Sequence, residues 1–198
     1  MTILAAYSVG IKFKIEYESD IDWSKNYVIC PNHTSLLDIT AVTYLCKQPI
    51  SFIGKSELLH NPVTRTFFKT IDIAVDRSSR VSAFKAFKQA DKALKEGKSL
   101  VIFPEGKIDD EFPPRLHEFK SGSFRLALDN EVQLLPVVIV DAWKILWDDG
   151  KKFGSRPGTV HIKVLKPITT KNLSTVELAS LQERVFTQMQ YHWKTPNK

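Results

Sequence analysis

Cysteine is nearly absent: Cys30 and Cys46 are the only two in 198 residues. Two thiols are too few for a disulfide scaffold or a structural zinc cluster, so the fold must rest on a hydrophobic core, and they fit a reducing compartment. Long apolar runs are missing as well. No stretch approaches the roughly 20 residues of a membrane-spanning helix. The N-terminal MTILAAYSVGIKF has neither a basic leader nor a small-residue cleavage site, which argues against a signal peptide. The chain is expected to be soluble or to lie on a membrane. No internal repeat recurs with a period of about 20–50 residues, which excludes solenoids and collagen-like arrays.

Against these absences stands a hydrophobic content of 43%, enough to offset the entropy of folding and exclude disorder. The length suits one domain over 1–198, and no composition break divides it. The formal charge is +6, from 28 basic and 22 acidic residues. That balance favours anionic partners (nucleic acid, anionic lipid, phosphorylated or CoA-like ligands) without choosing among them.

Hydrophobic patterning supplies the elements. Residues 11–17 (IKFKIEY) alternate with period two and predict a half-buried strand. NYVICP, 26–31, predicts a short strand running into the turn-like NHTS and the helical LLDITAVTYLC. Strands are expected at 50–54, at 71–75, in SLVIFPEG, in VQLLPVVIV and at 159–165. Asn61-Pro62 opens a helix with Pro at its first position. A helix over 82–96 carries Ala83, Phe87, Ala90 and Leu94 inward and Lys85, Lys88, Lys92 and Lys95 outward, ending at Gly97. Another covers 123–130. Ser174 and Glu177 form a capping box for the last helix, which turns Leu178, Leu181, Val185 and Met189 inward. Strands alternating with helices predict an α/β fold with a mixed, mostly parallel sheet flanked by helices.

In such sheets ligands sit beyond the carboxyl ends of strands. PNHTSLLD, FIGKSELL and FPEGK have that placement. His33 and Asp38 are five residues apart, so on one continuous helix they would face different ways. They meet only if His33 precedes the helix and Asp38 lies in its first turns, with Thr34 or Ser35 as N-cap. The carboxylate then holds one imidazole nitrogen while the other faces a substrate hydroxyl, which is an orienter and a general base. The plainer reading is that the pair caps a helix and orients a loop. No activated Ser or Cys nucleophile is evident, and Cys30 in its apolar strand reads as core.

NHTSLLD, FIGKSELL, FPEG and LLPVVI, in this order and spacing, together resemble the glycerolipid acyltransferase family, whose best-known members are the 1-acylglycerol-3-phosphate O-acyltransferases. The resemblance runs from about Ile11 to the final helix. It implies acyl transfer from acyl-CoA or acyl-carrier protein to a lyso-lipid hydroxyl, with no metal or other cofactor. His33 would be the base and Asp38 its orienter, with Asn32 beside them in the same block. Lys55 and Glu57 match the second block, where a lysine ammonium could stabilise the developing oxyanion; the plainer reading is a solvated strand-end lysine. Arg77, in AVDRSS, matches an arginine associated with the acceptor phosphate. Glu105 and Gly106 match the third block, Gly for the turn and Glu105 to bind the acceptor.

There the chain departs from the pattern. The family usually continues Thr-Arg-Ser, whereas this sequence reads Lys107-Ile108-Asp109. Lys107, Arg115, Lys120 or Arg125 is the candidate replacement charge, and Phe119-Lys120 with Gly122 matches the FK-x-G that commonly follows. The acceptor is thus 1-acylglycerol-3-phosphate or another lyso-lipid, such as an amino-acid-containing one. Pro136 matches the fourth block; within a buried strand it predicts a strand end or a bulge.

Trp143, Leu146 and Trp147, flanked by Lys144, Lys151 and Lys152, suit a loop that seeks a membrane interface, or else a Trp pair packed under a long turn. The family often carries an N-terminal membrane helix or hairpin, and none is read here. Peripheral attachment on the cytoplasmic side of the cell membrane is therefore expected. His60, His117, His161 and His192 read as structural or solvent-facing, without metal-ligand spacing. Two rival readings are a basic nucleic-acid-binding module and an acyl-thioester hydrolase. The first lacks any accompanying motif and the second lacks a nucleophile elbow, so nucleic acid is not an expected partner.

Overall fold

The computed structural model describes residues 3–55, 72–76, 79–108, 111–147, 150 and 152–194, the side chain of Lys55 excepted. The helix expected from Asn61-Pro62 lies outside them. Seven strands form one sheet: β1 (Ile11–Tyr17), β2 (Val28–Pro31), β3 (Ile50–Lys55), β4 (Ile73–Val75), β5 (Ser99–Val101), β6 (Leu134–Ile139) and β7 (Gly158–Val164), in the order β1-β7-β6-β2-β5-β3-β4. Every pairing is parallel except β6 with β7. The mixed, mostly parallel sheet is thus observed.

The reversal between β6 and β7 has a geometric consequence. The start of β7, and of β1 beside it, lies at the edge where β6 and β2 end. The short helix α1 (Ile3–Ser8) therefore sits at that edge and packs on α2 (Leu37–Leu45). Neither α1 nor α5 (Ala142–Ile145) is predicted from the pattern, because four to six residues hold too little of a 3.6-residue period to register.

The two faces of the sheet have separate apolar layers. One joins β1, β2, β6 and β7 to α1, α2 and α5 through Ile29, Leu37, Val42, Ile139 and Ile162. The other places α3 (Arg80–Lys95), α4 (Gly122–Asp129) and α6 (Leu178–Lys194) against Val28, Leu100, Leu134 and Val138. Leu181, Val185 and Met189 of α6 point inward as expected, and the Ser174–Glu177 capping box is formed, on a single 3₁₀ turn ahead of the helix. In α3 the buried residues are Ala86, Ala90, Ala93 and Leu94, while Ala83 is exposed. The inward stripe begins about one turn later than predicted.

Pro136 is inside β6, between Cys30 of β2 and the β7 side. From Val137 to Leu134 β6 advances three residues, while the opposing chain advances four, from Val164 to Ile168. That extra residue is a bulge, and it accommodates the missing N–H of Pro136. Of the two alternatives, strand end or bulge, the bulge is realised.

His161 has a partner that strand alternation does not reveal. Asp141, just past β6, accepts from its backbone N–H at 2.8 Å and lies 2.6 Å from its Nδ1. Cys30 is buried in the core, and burial pushes its thiol up to about 12.

Candidate active site

Strand β2 delivers Asn32 and His33 to the carboxyl edge of the sheet, and the chain turns there into α2. Asp38 lies in the first turn of that helix and is fully buried. Its Oδ2 lies 3.1 Å from His33 Nδ1 and accepts from the backbone N–H of Thr34 at 2.6 Å and of Ser35 at 2.8 Å. A carboxylate only accepts, so His33 carries its proton on Nδ1. Nε2 is left as the nitrogen able to take a proton from a substrate. The five-residue spacing works because His33 is in the turn and Asp38 in the helix.

The helix entry differs from the expected N-cap. Position Leu36 caps α2 without a side-chain bond, and Ser35 Oγ accepts from Leu37 N–H at 3.1 Å. Asp38 itself reaches back to the N–H groups before the helix, where a negative charge is favoured. Those two N–H groups are consequently spent on Asp38 and supply no oxyanion contact.

Two further groups hold His33. Its ring stacks on Phe103, with centroids 3.9 Å apart and planes at 20°. Its backbone N–H donates to Glu105 Oε1 at 2.7 Å. The second oxygen of Glu105 accepts from His117 N–H at 2.8 Å. Glu105 is only 2% exposed. Both oxygens engage backbone, joining the β2 loop to the loop after β5, so the contacts seen for Glu105 position the His33 loop. Asn32 anchors the same loop. It is fully buried, donating to Ile139 C=O at 3.0 Å and accepting from Ile139 N–H at 2.7 Å. It binds the loop to the end of β6.

Gly106, buried at φ 73°, makes the tight turn after Glu105 that a side chain would strain. Lys107 and Lys120 are exposed beyond that turn, and Lys120 N–H donates to Pro104 C=O at 2.9 Å, which closes the loop. Lys55 ends β3, in register with Val75; Glu57 and Arg77 lie outside the described residues. Phe103 and the backbone of His117 were not singled out by sequence. The signal available for Phe103 was its place directly between a buried strand and the PEG turn. Among the described residues no group of three or more His, Cys, Asp or Glu could hold a metal ion.

Three of the four blocks that resembled one family, NHTSLLD, FPEG and LLPVVI, thus meet around His33. A family model described as Acyltransferase matches residues 12–140. The chain belongs to the Acyltransferase family. Within it, the chain is 31% identical over 188 residues to an uncharacterized acyltransferase of Schizosaccharomyces pombe, covering 94% of this chain and 67% of that one. It is 27% identical over 184 residues to a 1-acyl-sn-glycerol-3-phosphate acyltransferase of Saccharomyces cerevisiae, covering 91% and 59%. To the human 1-acyl-sn-glycerol-3-phosphate acyltransferase beta it is 27% identical over 177 residues, covering 88% and 62%. It therefore spans less than two thirds of the length of the budding-yeast and human relatives. The crystal structure of a 1-acyl-sn-glycerophosphate acyltransferase from Thermotoga maritima superposes with a TM-score of 0.79 at 24% identity, covering 98% of this chain and 77% of that one. That likeness shows that the acyltransferase fold is shared.

Proposed function

We propose that this chain is an O-acyltransferase that moves a fatty acyl group from an acyl thioester, acyl-CoA or acyl-carrier protein, to the hydroxyl of a lyso-lipid. The reading is carried by the His33–Asp38 pair: a half-buried imidazole held through Nδ1 by a buried carboxylate. Nε2 removes the proton from the acceptor O–H as the oxygen attacks the thioester carbonyl. The tetrahedral intermediate collapses with loss of the thiolate, which takes the proton back from the imidazolium. One C–O bond forms, one C–S bond breaks, and no covalent enzyme intermediate is needed. Burial pushes both Cys30 and Cys46 up to about 12, which supports direct transfer over a cysteine relay.

The named relatives make 1-acylglycerol-3-phosphate the first acceptor to test. The Lys107-Ile108-Asp109 departure supports a second, an amino-acid-containing lyso-lipid, since the family's usual arginine is missing there. Lys55 at the end of β3 is the proposed oxyanion contact, and Glu57, Arg77, Lys107 and Lys120 remain the proposed substrate contacts. Association is peripheral, on the cytoplasmic side of the cell membrane; no helix among the described residues is long and apolar enough to cross a bilayer.

The decisive assay follows thiol release from acyl-CoA and from acyl-carrier protein, with and without a panel of lyso-lipids. Acceptor-dependent release that His33→Ala abolishes is the expected result. Release that needs no acceptor identifies a thioesterase, and salt-sensitive DNA binding without any lipid effect identifies a nucleic-acid module.

A further inference from the structure

Of the two expectations for the loop around Trp143 and Trp147, the packed Trp pair is the one observed. Trp147 is buried at 5%, and Trp143 is half-buried with Nε1 donating to Val140 C=O at 3.2 Å. The rings left in solvent are Phe112, 50% exposed, and Phe153, 52% exposed. They contact each other at 4.5 Å between centroids, and Phe112 meets Trp143 edge-on at 5.5 Å and Trp147 at 5.3 Å. A largely apolar cleft of about 530 Å³ opens between them.

The surroundings of this aromatic platform are cationic among the described residues. Lys144 Nζ lies 5.4 Å from the Trp143 ring, Lys152 Nζ lies 5.2 Å from Phe153, and exposed Arg156 lines the cleft. Glu111, a carboxylate on the Phe112 loop, is paired with Arg115 at 3.0 Å. Aromatic rings with lysine and arginine at their margin match the chemistry of a bilayer interface, where rings settle at the headgroup level and cations meet lipid phosphates.

Position supplies the second argument. Phe112 belongs to the loop between Glu105 and His117, and α5 follows the end of β6, to which Asn32 ties the His33 loop. The platform is thus on the same edge of the sheet as the base. Exposed Leu4 and Val9, at α1, and Leu36, beside α2, occupy that edge as well.

We infer that the Phe112–Phe153 platform, with Lys144, Lys152 and Arg156 around it, docks the protein onto an anionic lipid bilayer so that the His33 edge faces the membrane. The inference deepens the lyso-lipid reading, because an acceptor embedded in a bilayer then reaches the base without leaving it.

The test is co-sedimentation of the full chain with vesicles of phosphatidylcholine, with and without phosphatidylglycerol. Wild type should bind both kinds, more tightly with phosphatidylglycerol present. F112S/F153S should lose about tenfold in partitioning onto both, measured at a temperature where circular dichroism shows the variant still folded. K144Q/K152Q/R156Q should lose only the gain that phosphatidylglycerol confers. Unchanged binding by F112S/F153S overturns the inference, as does a wild type that ignores vesicles. A serine variant that dissociates a dimer while keeping vesicle affinity overturns it too, in favour of a second copy on the platform. His33→Ala should bind vesicles normally, so failure of the chemistry and failure of the docking are read separately.

Discussion

Replacing Asp38 by asparagine tests the core of the mechanism with the smallest change of shape. The amide can place its oxygen where Oδ2 now accepts from Thr34, Ser35 and His33, which preserves the ring's orientation and removes the charge. The imidazolium that forms during transfer then faces a neutral group about 3 Å away. A unit charge at that range is worth on the order of 5 kcal/mol at the effective dielectric of a protein site, or several thousandfold in rate. The opposite amide orientation turns an N–H toward the ring and loses the alignment too, so kcat falls in either case. Stability also suffers. Two charge-assisted backbone bonds become neutral, a loss of about 2–3 kcal/mol, which for a chain this size is a Tm lower by roughly 4–12 °C. Turnover should therefore be measured well below the melt, with circular dichroism confirming the fold. His33→Ala is the matched control, since Asp38 keeps its Thr34 and Ser35 bonds and the melt should barely move. An Asp38→Asn enzyme that keeps kcat within about threefold of wild type refutes the argument that the carboxylate stabilises a protonated His33.

Other consequences can be checked separately. Asn32→Leu leaves the N–H and C=O of Ile139 unbonded in a buried place, at about 1–3 kcal/mol each, so calorimetry should show a clearly lower Tm; an unchanged melt contradicts the anchoring role. Cys30 and Cys46, both pushed up to about 12 by burial, should resist iodoacetamide at pH 8 in the folded protein and react on unfolding. Rapid alkylation with loss of activity would reinstate a cysteine mechanism. Burial raises the Asp72 carboxyl above its usual range despite the bond from Phe52 N–H. Between the unfolded and folded values the folded state binds the extra proton, so stability falls as pH rises through that window. Asp72→Asn should flatten that part of the stability curve and raise Tm at neutral pH, which a melt series against pH will show.

The sheet was legible because its strands are short apolar or alternating runs that end in turn chemistry, and the 3.6-residue period left one way for His33 and Asp38 to meet, which is the one observed. The roles of Asn32 and Glu105 were not. A polar residue after a buried strand is equally compatible with binding substrate and with satisfying backbone; only the partners, Ile139 for one and His33 with His117 for the other, decide between them. Those partners are distant in sequence and are backbone atoms, which leave no trace in residue identity. The same holds for the aromatic platform. Trp147 has the most interfacial side chain by type, yet it is buried, and the exposed rings come from two loops that no local pattern connects.

The carboxylate of Glu105 grips two loops at once, and this divides the site into a fixed half and a variable half. Glu105 and His117, the two ends of this loop, are joined by one side chain, so the composition between them can drift without disturbing the aim of His33. A lineage could vary that span while inheriting the His33–Asp38 geometry unaltered. The lysine and isoleucine that follow Gly106 in this chain occupy the very segment where such divergence carries the least mechanical penalty.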